Sequence, residues 1–372
     1  MSVTLNAVEQ ALRREQQEDL PLHSQVKRAL RRLIYDQFSN GDRFFTETAI
    51  ASELNISAGT VRRALSDLTR EGLLVRRVAQ GTFVRKPEAI TGTSNATLYV
   101  MLPQFDSESF SSFLEAFEQE AARLSWNMEV HRTPRNQAAA DAVSAIRCKP
   151  SESRVILLGT VPDITLDLNE LLKARGFRTV TVDTLVERYK GAYAGTDDRM
   201  AITIGLDYLV GLGHRRVTLV VNEPNDQLSV SSRIDVFRDY AKQLELTQAD
   251  VVLPPMKRWD HPFDSGYASM PQIWDQRVRP TAIMTISDCG AFGVMKWLAE
   301  QGAKIPQDVS VLGFENIPSA RYTHPALTTI AQPIAETARR AIDMLLNDVV
   351  RHELVAPELV IRESTAPPAK EA

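Results

Sequence analysis

The stretch RPTAIMTISDCGAFGVMKWLAEQGAKIPQDVSVLGFEN, residues 279–316, decides how most of this chain folds. TAIMTI (281–286) is a continuous β-prone run without polar alternation, so both of its faces are expected to be buried. Residues 288–301 follow as a helical stretch, and VSVLGF (309–314) is a second apolar run. Strand, helix, strand is the repeating unit of a parallel sheet, because parallel strands need a long crossover that covers one face. The same alternation spreads outward. Strand-like runs lie at 97–102, 154–158, 178–182, 216–221 and 250–253, with helical stretches near 109–124, 136–147, 199–212, 231–244 and 334–350. The expected fold class is α/β, with two doubly wound parallel sheets forming two lobes.

The chain has 372 residues, 44% of them hydrophobic and 24% charged, enough for two or three globular domains. No window approaches the length of apolar sequence that crosses a bilayer, so no membrane partner is expected. Residues 1–20 hold Arg13, Arg14, Glu15, Glu18 and Asp19 and no apolar core, which argues against a secretory leader and for a cytoplasmic location. Two distant cysteines, Cys148 and Cys289, exclude a disulfide framework and a Cys-rich zinc site. The histidines show no metal spacing, and HExxH, CxxC, Walker A and GxSxG runs are missing; no metal, cofactor or catalytic residue is expected. Gly211-Leu212-Gly213 precedes a strand and lacks the third glycine of a dinucleotide loop, and His214 reads as structural. The net charge of −4 divides unevenly: +3 in residues 1–90 and −7 in the remainder. A small basic head on an acidic body suits contact between the head and a polyanion.

The head has its own pattern. Leu22, Val26, Leu30, Leu33 and Phe38 form an apolar stripe, with Lys27, Arg28, Arg31 and Arg32 largely off it. Thr46 is a candidate N-cap for a helix over 47–54, and Ser57 for another over 58–70 with Val61, Leu65 and Leu68 inward. Gly72 is placed to end that helix. Two β-prone runs, 73–77 and 82–85, then flank a hairpin tip. Helix, helix, tight turn, helix, hairpin is a winged helix-turn-helix. Gly-Asp-Arg at 41–43, Glu47, ELNISAGTVRRALSDLTREGLL (53–74) and QGTFV (80–84) resemble the DNA-binding domain of GntR-type bacterial regulators. With Val61, Leu65 and Leu68 inward, Gly59, Arg62, Arg63 and Ser66 face out, and such a helix enters the major groove. Arg62 or Arg63 would bond guanine or hold phosphate. The resemblance implies backbone contacts for Arg43 and Thr60, and a minor-groove approach by Gln80, Gly81 and Thr82. This chain departs from the pattern at Ala58, where Arg is usual, at Phe44-Phe45-Thr46-Glu47 for Leu-Pro-Ser-Glu, and at Ala79 for Gly. The first departure removes a favoured base contact.

The body resembles the effector domain of LacI-type repressors, a fold shared with periplasmic sugar-binding proteins, through 208–221, 232–242, 279–316 and 324–333. In such folds ligands sit where the carboxyl ends of parallel strands meet. Gln104, Asp106, Asp183, Asp288, Glu315 and Asn316 all follow strand-like runs, and Arg233 matches the arginine with which this family holds ligand. Asp183 and Asp288 would contact ligand or cap the following helix; Glu315 would contact ligand or pair with an arginine. Phe105, Phe110, Trp259 and Phe263 would stack on a sugar face or pack in the core. Ser287-Asp288 and Glu315-Asn316 depart from the family's Asn-Asp and Asp-Asp, so a different cleft is expected.

These readings give a winged helix-turn-helix at 21–86, a linker at 87–96, an effector and dimerisation domain at 97–362, and a flexible tail at 363–372. The lobes are expected at 97–197 plus 330–350, and at 198–329. The resemblances imply a homodimeric repressor that binds double-stranded operator DNA and answers to a small, carbohydrate-like effector. A sugar-modifying enzyme fused to a DNA-binding head is the alternative, kept open by Asp183, Asp288 and Glu315.

Overall fold

The computed structural model describes residues 8, 12, 22–70, 73–77, 81–85, 96–105, 107–134, 138–144, 146, 149–159, 162–185, 189–224, 228–254, 256 and 260–369. It divides into two compact units, Met1–Thr93 and Ser94–Ala372. Among the described residues no helix is long and apolar enough to cross a membrane.

In the first unit, α1 (Leu22–Gln37), α2 (Glu47–Leu54) and α3 (Ala58–Arg70) precede the antiparallel pair β1 (Leu74–Arg77) and β2 (Gly81–Val84). Both expected caps form: the Ala49 N–H donates to Thr46 Oγ1 at 3.2 Å, and the Thr60 N–H to Ser57 Oγ at 3.2 Å. Asn55 takes a left-handed conformation (φ 50°) that ends α2 and makes the tight turn into α3. Val26, Leu30, Leu33 and Phe38 meet Ile50, Val61, Leu65 and Leu68 in one core. Leu22, read as part of the apolar stripe, is 45% exposed. The Phe44-Phe45 departure is absorbed by packing, since both rings lie against Phe38 with centroids 5.1 and 5.5 Å away. Gly72, Gln80, the hairpin tip and the expected linker 87–95 lie outside the described residues.

The second unit holds two six-stranded sheets. The first lobe has the all-parallel order β13-β7-β6-β5-β3-β4, from β3 (Thr97–Pro103), β4 (Asn127–Thr133), β5 (Ser153–Leu158), β6 (Arg178–Val182), β7 (Ala192–Thr196) and β13 (His352–Val355). The second has the order β14-β12-β11-β10-β8-β9, from β8 (Arg216–Val220), β9 (Gln248–Val252), β10 (Ala282–Thr285), β11 (Ser310–Glu315), β12 (Thr328–Ala331) and the antiparallel edge β14 (Glu358–Val360). The continuous apolar runs are explained by burial on both faces. Leu98, Val100 and Leu102 face one core, and Tyr99 and Met101 face the other. Helices α4 (Glu108–Arg123), α5 (Ala139–Ser144), α6 (Pro162–Ala174) and α11 (Ile334–Asn347) belong to the first lobe. Helices α7 (Asp198–Gly211), α8 (Leu228–Gln243), α9 (Pro262–Trp274) and α10 (Asp288–Glu300) belong to the second.

The chain passes between the lobes after β7, after β12 and after β13. The third passage lies beyond the expected 330–350 segment. The flexible tail is a correction. Ser364 donates to the Val311 carbonyl at 2.6 Å and accepts from the Thr328 N–H at 2.8 Å, and Ala366 N donates to Ser310 Oγ at 3.0 Å. Residues 363–366 dock because their hydroxyls and amides complete the polar groups where β11 and β12 begin; 370–372 lie outside the described residues. His214 shares in this docking, its ring bonded to Thr281 Oγ1 and the Ala366 carbonyl, both at 2.9 Å.

Candidate functional site

On the head, the outer face of α3 presents Gly59, Arg62 and Arg63 exposed and Thr60 half-buried. Thr60 Oγ1 lies 2.8 Å from Ser57 Oγ, so its hydroxyl also serves the cap. Arg62 is not loose: its Nε and Nη2 donate to the Glu47 carboxylate at 2.7–3.2 Å. The hydrogen bond and charge of Arg62 hold the Glu47 carboxyl below its usual range. Residues 41–44 pair along the wing, with Gly41 N–H donating to the Val84 carbonyl and Phe44 N–H to the Thr82 carbonyl, both at 2.8 Å. This seats Arg43 against Gly81, where an added Cβ would lie 3.3 Å from Arg43 Nε. Arg43, Gly81 and Thr82 therefore form one surface at the wing.

In the body, the loops at the carboxyl ends of both sheets enclose a cavity of about 480 Å³ between the lobes. Asp183 and Thr184 follow β6, Gly159 follows β5, Glu223 follows β8, and Glu315 ends β11. Phe105, Phe110 and Phe292 supply aromatic wall. The Phe110 ring lies over Gly159, where φ is +56° and a Cβ would fall 2.3 Å from a ring carbon, so glycine is required there. The lobes are bridged at this mouth: Glu108 accepts from Ser319 Oγ at 2.6 Å and from Ser319 N at 3.1 Å.

The cavity is acidic. Burial raises the Asp183 carboxyl above its usual range, against the charge of Arg233. Burial pushes Glu223 up to about 7, with the charge of Arg233 opposing and those of Asp183 and Asp198 adding to it, and pushes Glu315 well above its ordinary value, reinforced by the charges of Glu223, Asp288 and Asp183. Burial, with Glu315 nearby, pushes the Cys289 thiol up to about 11, so it is protonated near neutral pH. Asp183 (φ 72°) and Glu315 (φ 107°) both occupy the left-handed region that non-glycine residues avoid.

Asp183, Glu315 and Phe110 line the cavity, as do Phe105 and Cys289. Three expected ligand residues do not. Asp288 is wholly buried; its Oδ1 accepts from Thr329 Oγ1 at 2.6 Å and its Oδ2 from the Ile317 N–H at 2.9 Å. Its carboxyl, pushed up to about 7 by burial, braces the loop that carries Glu315. Arg233 is 6% exposed; its Nε donates to Asp198 Oδ1 at 2.7 Å and its guanidinium stacks 4.1 Å over the Phe314 ring. It sits behind the wall and acts on the cavity through its charge. Gln104 is exposed, with its backbone N–H on the Thr133 carbonyl at 2.9 Å. Phe263 is absent from the wall, and Asp106 and Trp259 lie outside the described residues. Sequence reading missed Glu223, Glu108, Arg132 and His261, all lining the cavity. Glu223 was findable, because it follows strand 216–221 as Asp183 follows 178–182. The other three had no comparable signal.

Residues 22–84 match the bacterial regulatory proteins, gntR family, and residues 206–365 match the periplasmic binding protein-like domain. The HTH-type transcriptional regulator MalR of Streptomyces coelicolor is 26% identical over 85% of this chain and 95% of its own length. The arabinose metabolism transcriptional repressor of Geobacillus stearothermophilus is 23% identical over 94% of this chain and 99% of its own. A crystal structure of a LacI transcriptional regulator from a Rhodococcus species covers 73% of this chain and 100% of that chain, with a TM-score of 0.64 and 25% identity. These relatives are transcriptional regulators, not enzymes.

Proposed function

Because this chain joins a GntR-type winged helix-turn-helix to a LacI-type, periplasmic-binding-protein-like body, we propose that it is a transcriptional repressor whose hold on operator DNA is set by a small carbohydrate-like effector in the inter-lobe cavity. The observation that carries this reading is the cavity itself. Its walls come from the carboxyl ends of both sheets, so any molecule that bonds both walls changes the balance between lobe arrangements. Coupling of this kind is typically worth ~1–3 kcal/mol between two sites. Acids, hydroxyls and aromatic faces together suit a polyhydroxylated ligand, since carboxylates accept from hydroxyls and rings cover apolar sugar faces. The relative named for arabinose metabolism, aligned over nearly the whole chain, favours a sugar derivative. Arg62, Arg63, Arg43, Thr60, Gly59, Gly81 and Thr82 form the DNA surface of this reading, with Gln80 expected beside them. A homodimer in the cytoplasm fits a palindromic operator.

The test is a mobility-shift titration of the full chain on the DNA upstream of its own gene, repeated with a panel of pentoses and hexoses. Retention of specific DNA, with release on adding one member of the panel, supports the reading. Failure to retain DNA above a scrambled control overturns the regulator. Turnover of a sugar in the cavity would restore the enzyme alternative.

A further inference from the structure

We propose that the effector carries a protonated amine, seated among Asp183, Glu223 and Glu315 against the faces of the surrounding phenylalanines. This deepens the effector reading above and rests on it. The three carboxylates come from both lobes and converge on one cavity. The nearest buried cation, Arg233, has its Nε committed to Asp198 at 2.7 Å and stays behind the wall. Among the described lining residues Arg132 is the single Lys or Arg, and it is exposed. Among the described residues no side-chain donor bonds the carboxylate of Glu223 or Glu315.

A neutral polyol would bond these acids but do nothing for their ionised forms, which burial and mutual repulsion disfavour. An ammonium supplies donors and the missing charge together. Phe105, Phe110 and Phe292 add ring faces, which attract a cation through their quadrupoles. Burial raises all three carboxyls, Glu223 to about 7, so an arriving ammonium that favours their ionised forms would drive protons into solution. Because it bonds acids of both lobes, it would also draw the lobes together.

Calorimetry on the full chain tests this with matched pairs, D-glucosamine against D-glucose and D-galactosamine against D-galactose, and with putrescine as an amine without a sugar ring. At pH 7 at least one amine is expected to bind ~10-fold or more tightly than its neutral twin, or, for putrescine, than any neutral sugar. The heat should vary with buffer ionisation enthalpy, reporting proton release. Glu223→Gln and Glu315→Gln should each erase the preference, while Glu315→Asp, which keeps the charge, should retain most of it. Melting curves confirm that each variant is folded. A neutral sugar that binds as well as its amine overturns the charge inference and leaves the effector reading standing. Binding by none of the amines overturns it too, and operator release by a neutral sugar then shows whether the effector reading survives.

Discussion

Two arginines in this protein make the same bond in opposite surroundings. Arg62 on the head lies 2.7 Å from Glu47, and Arg233 in the body lies 2.7 Å from Asp198. The side chains of the first pair are 67% and 24% exposed, and those of the second 7% and 14%. Distance alone does not separate them, but solvent does. An exposed pair gains little over its hydrated halves and is screened by salt, so Glu47 holds Arg62 in place without binding it tightly. On the proposed reading, DNA phosphate or a guanine edge would take Arg62 at small cost. A buried pair cannot be taken apart cheaply, because each partner would be left charged in a medium that solvates it poorly. Arg233 is therefore a fixture of the fold whose field biases the cavity acids, and Arg62, on the proposed reading, is a side chain held ready for DNA.

The sharpest way to break this contrast is Arg233→Ala. It strands Asp198, so the full chain should lose ~3–5 kcal/mol of stability, seen as a large drop in melting temperature. A variant that melts like the parent but needs more effector to release DNA would return Arg233 to the ligand site.

Next comes the field that Arg233 only partly offsets. The Glu223 carboxyl is raised to about 7 in the folded state. A raised carboxylate contributes stability below its unfolded value that is lost as pH climbs through the folded one. Glu223→Gln removes that titration. Without ligand it should melt with the parent at pH 5 and about 3 °C or more above it at pH 8. Parallel melting curves across that range would refute an acid cluster held against its charge.

On the exposed side, Arg62→Ala should leave melting unchanged and weaken operator binding by about tenfold if Arg62 reads a base. Arg63→Ala separates the neighbouring candidate, and unchanged titrations for both would move the DNA-reading surface away from α3. The smallest effect belongs to Glu47→Gln, which should shift the melting temperature by less than about 2 °C. If it instead unfolds the head, the exposed pair is as structural as the buried one and the comparison collapses.

The same distinction explains what could be read early. Apolar runs such as 97–102 and 309–314 are legible because burial on both faces leaves no other composition open to them. Edge strands escape that rule. β4 reads NMEVHRT and β13 reads HELV, polar enough to resemble loops, while the interior β7, AYAGT, is buried throughout but too short and small to stand out. α9, with Pro262 at its start and Pro271 and Gly266 inside, looks like a turn. It is a helix, and its Gly266 packs directly on the backbone of Gly290 in α10, an approach that any Cβ would block. At the site, the strand-end rule found Asp183 and Glu315 and would have found Glu223. It misjudged Asp288 because it gives a residue's position along a strand and not the direction of its side chain.

The sequence by itself determined the two-part architecture, the caps at Thr46 and Ser57, the exposed face of α3 and the location of the cavity, since each depends on local periodicity or chain order. Tertiary structure decided the rest: that Arg233 turns to Asp198, that Asp288 is consumed by Thr329 and Ile317, and that 363–366 dock instead of trailing. It also decided that three acids from two lobes share one space. These outcomes depend on which partner each polar group finds once it leaves water, and those partners lie 35 residues away for Arg233, 41 and 29 for Asp288, and 53 for Ser364.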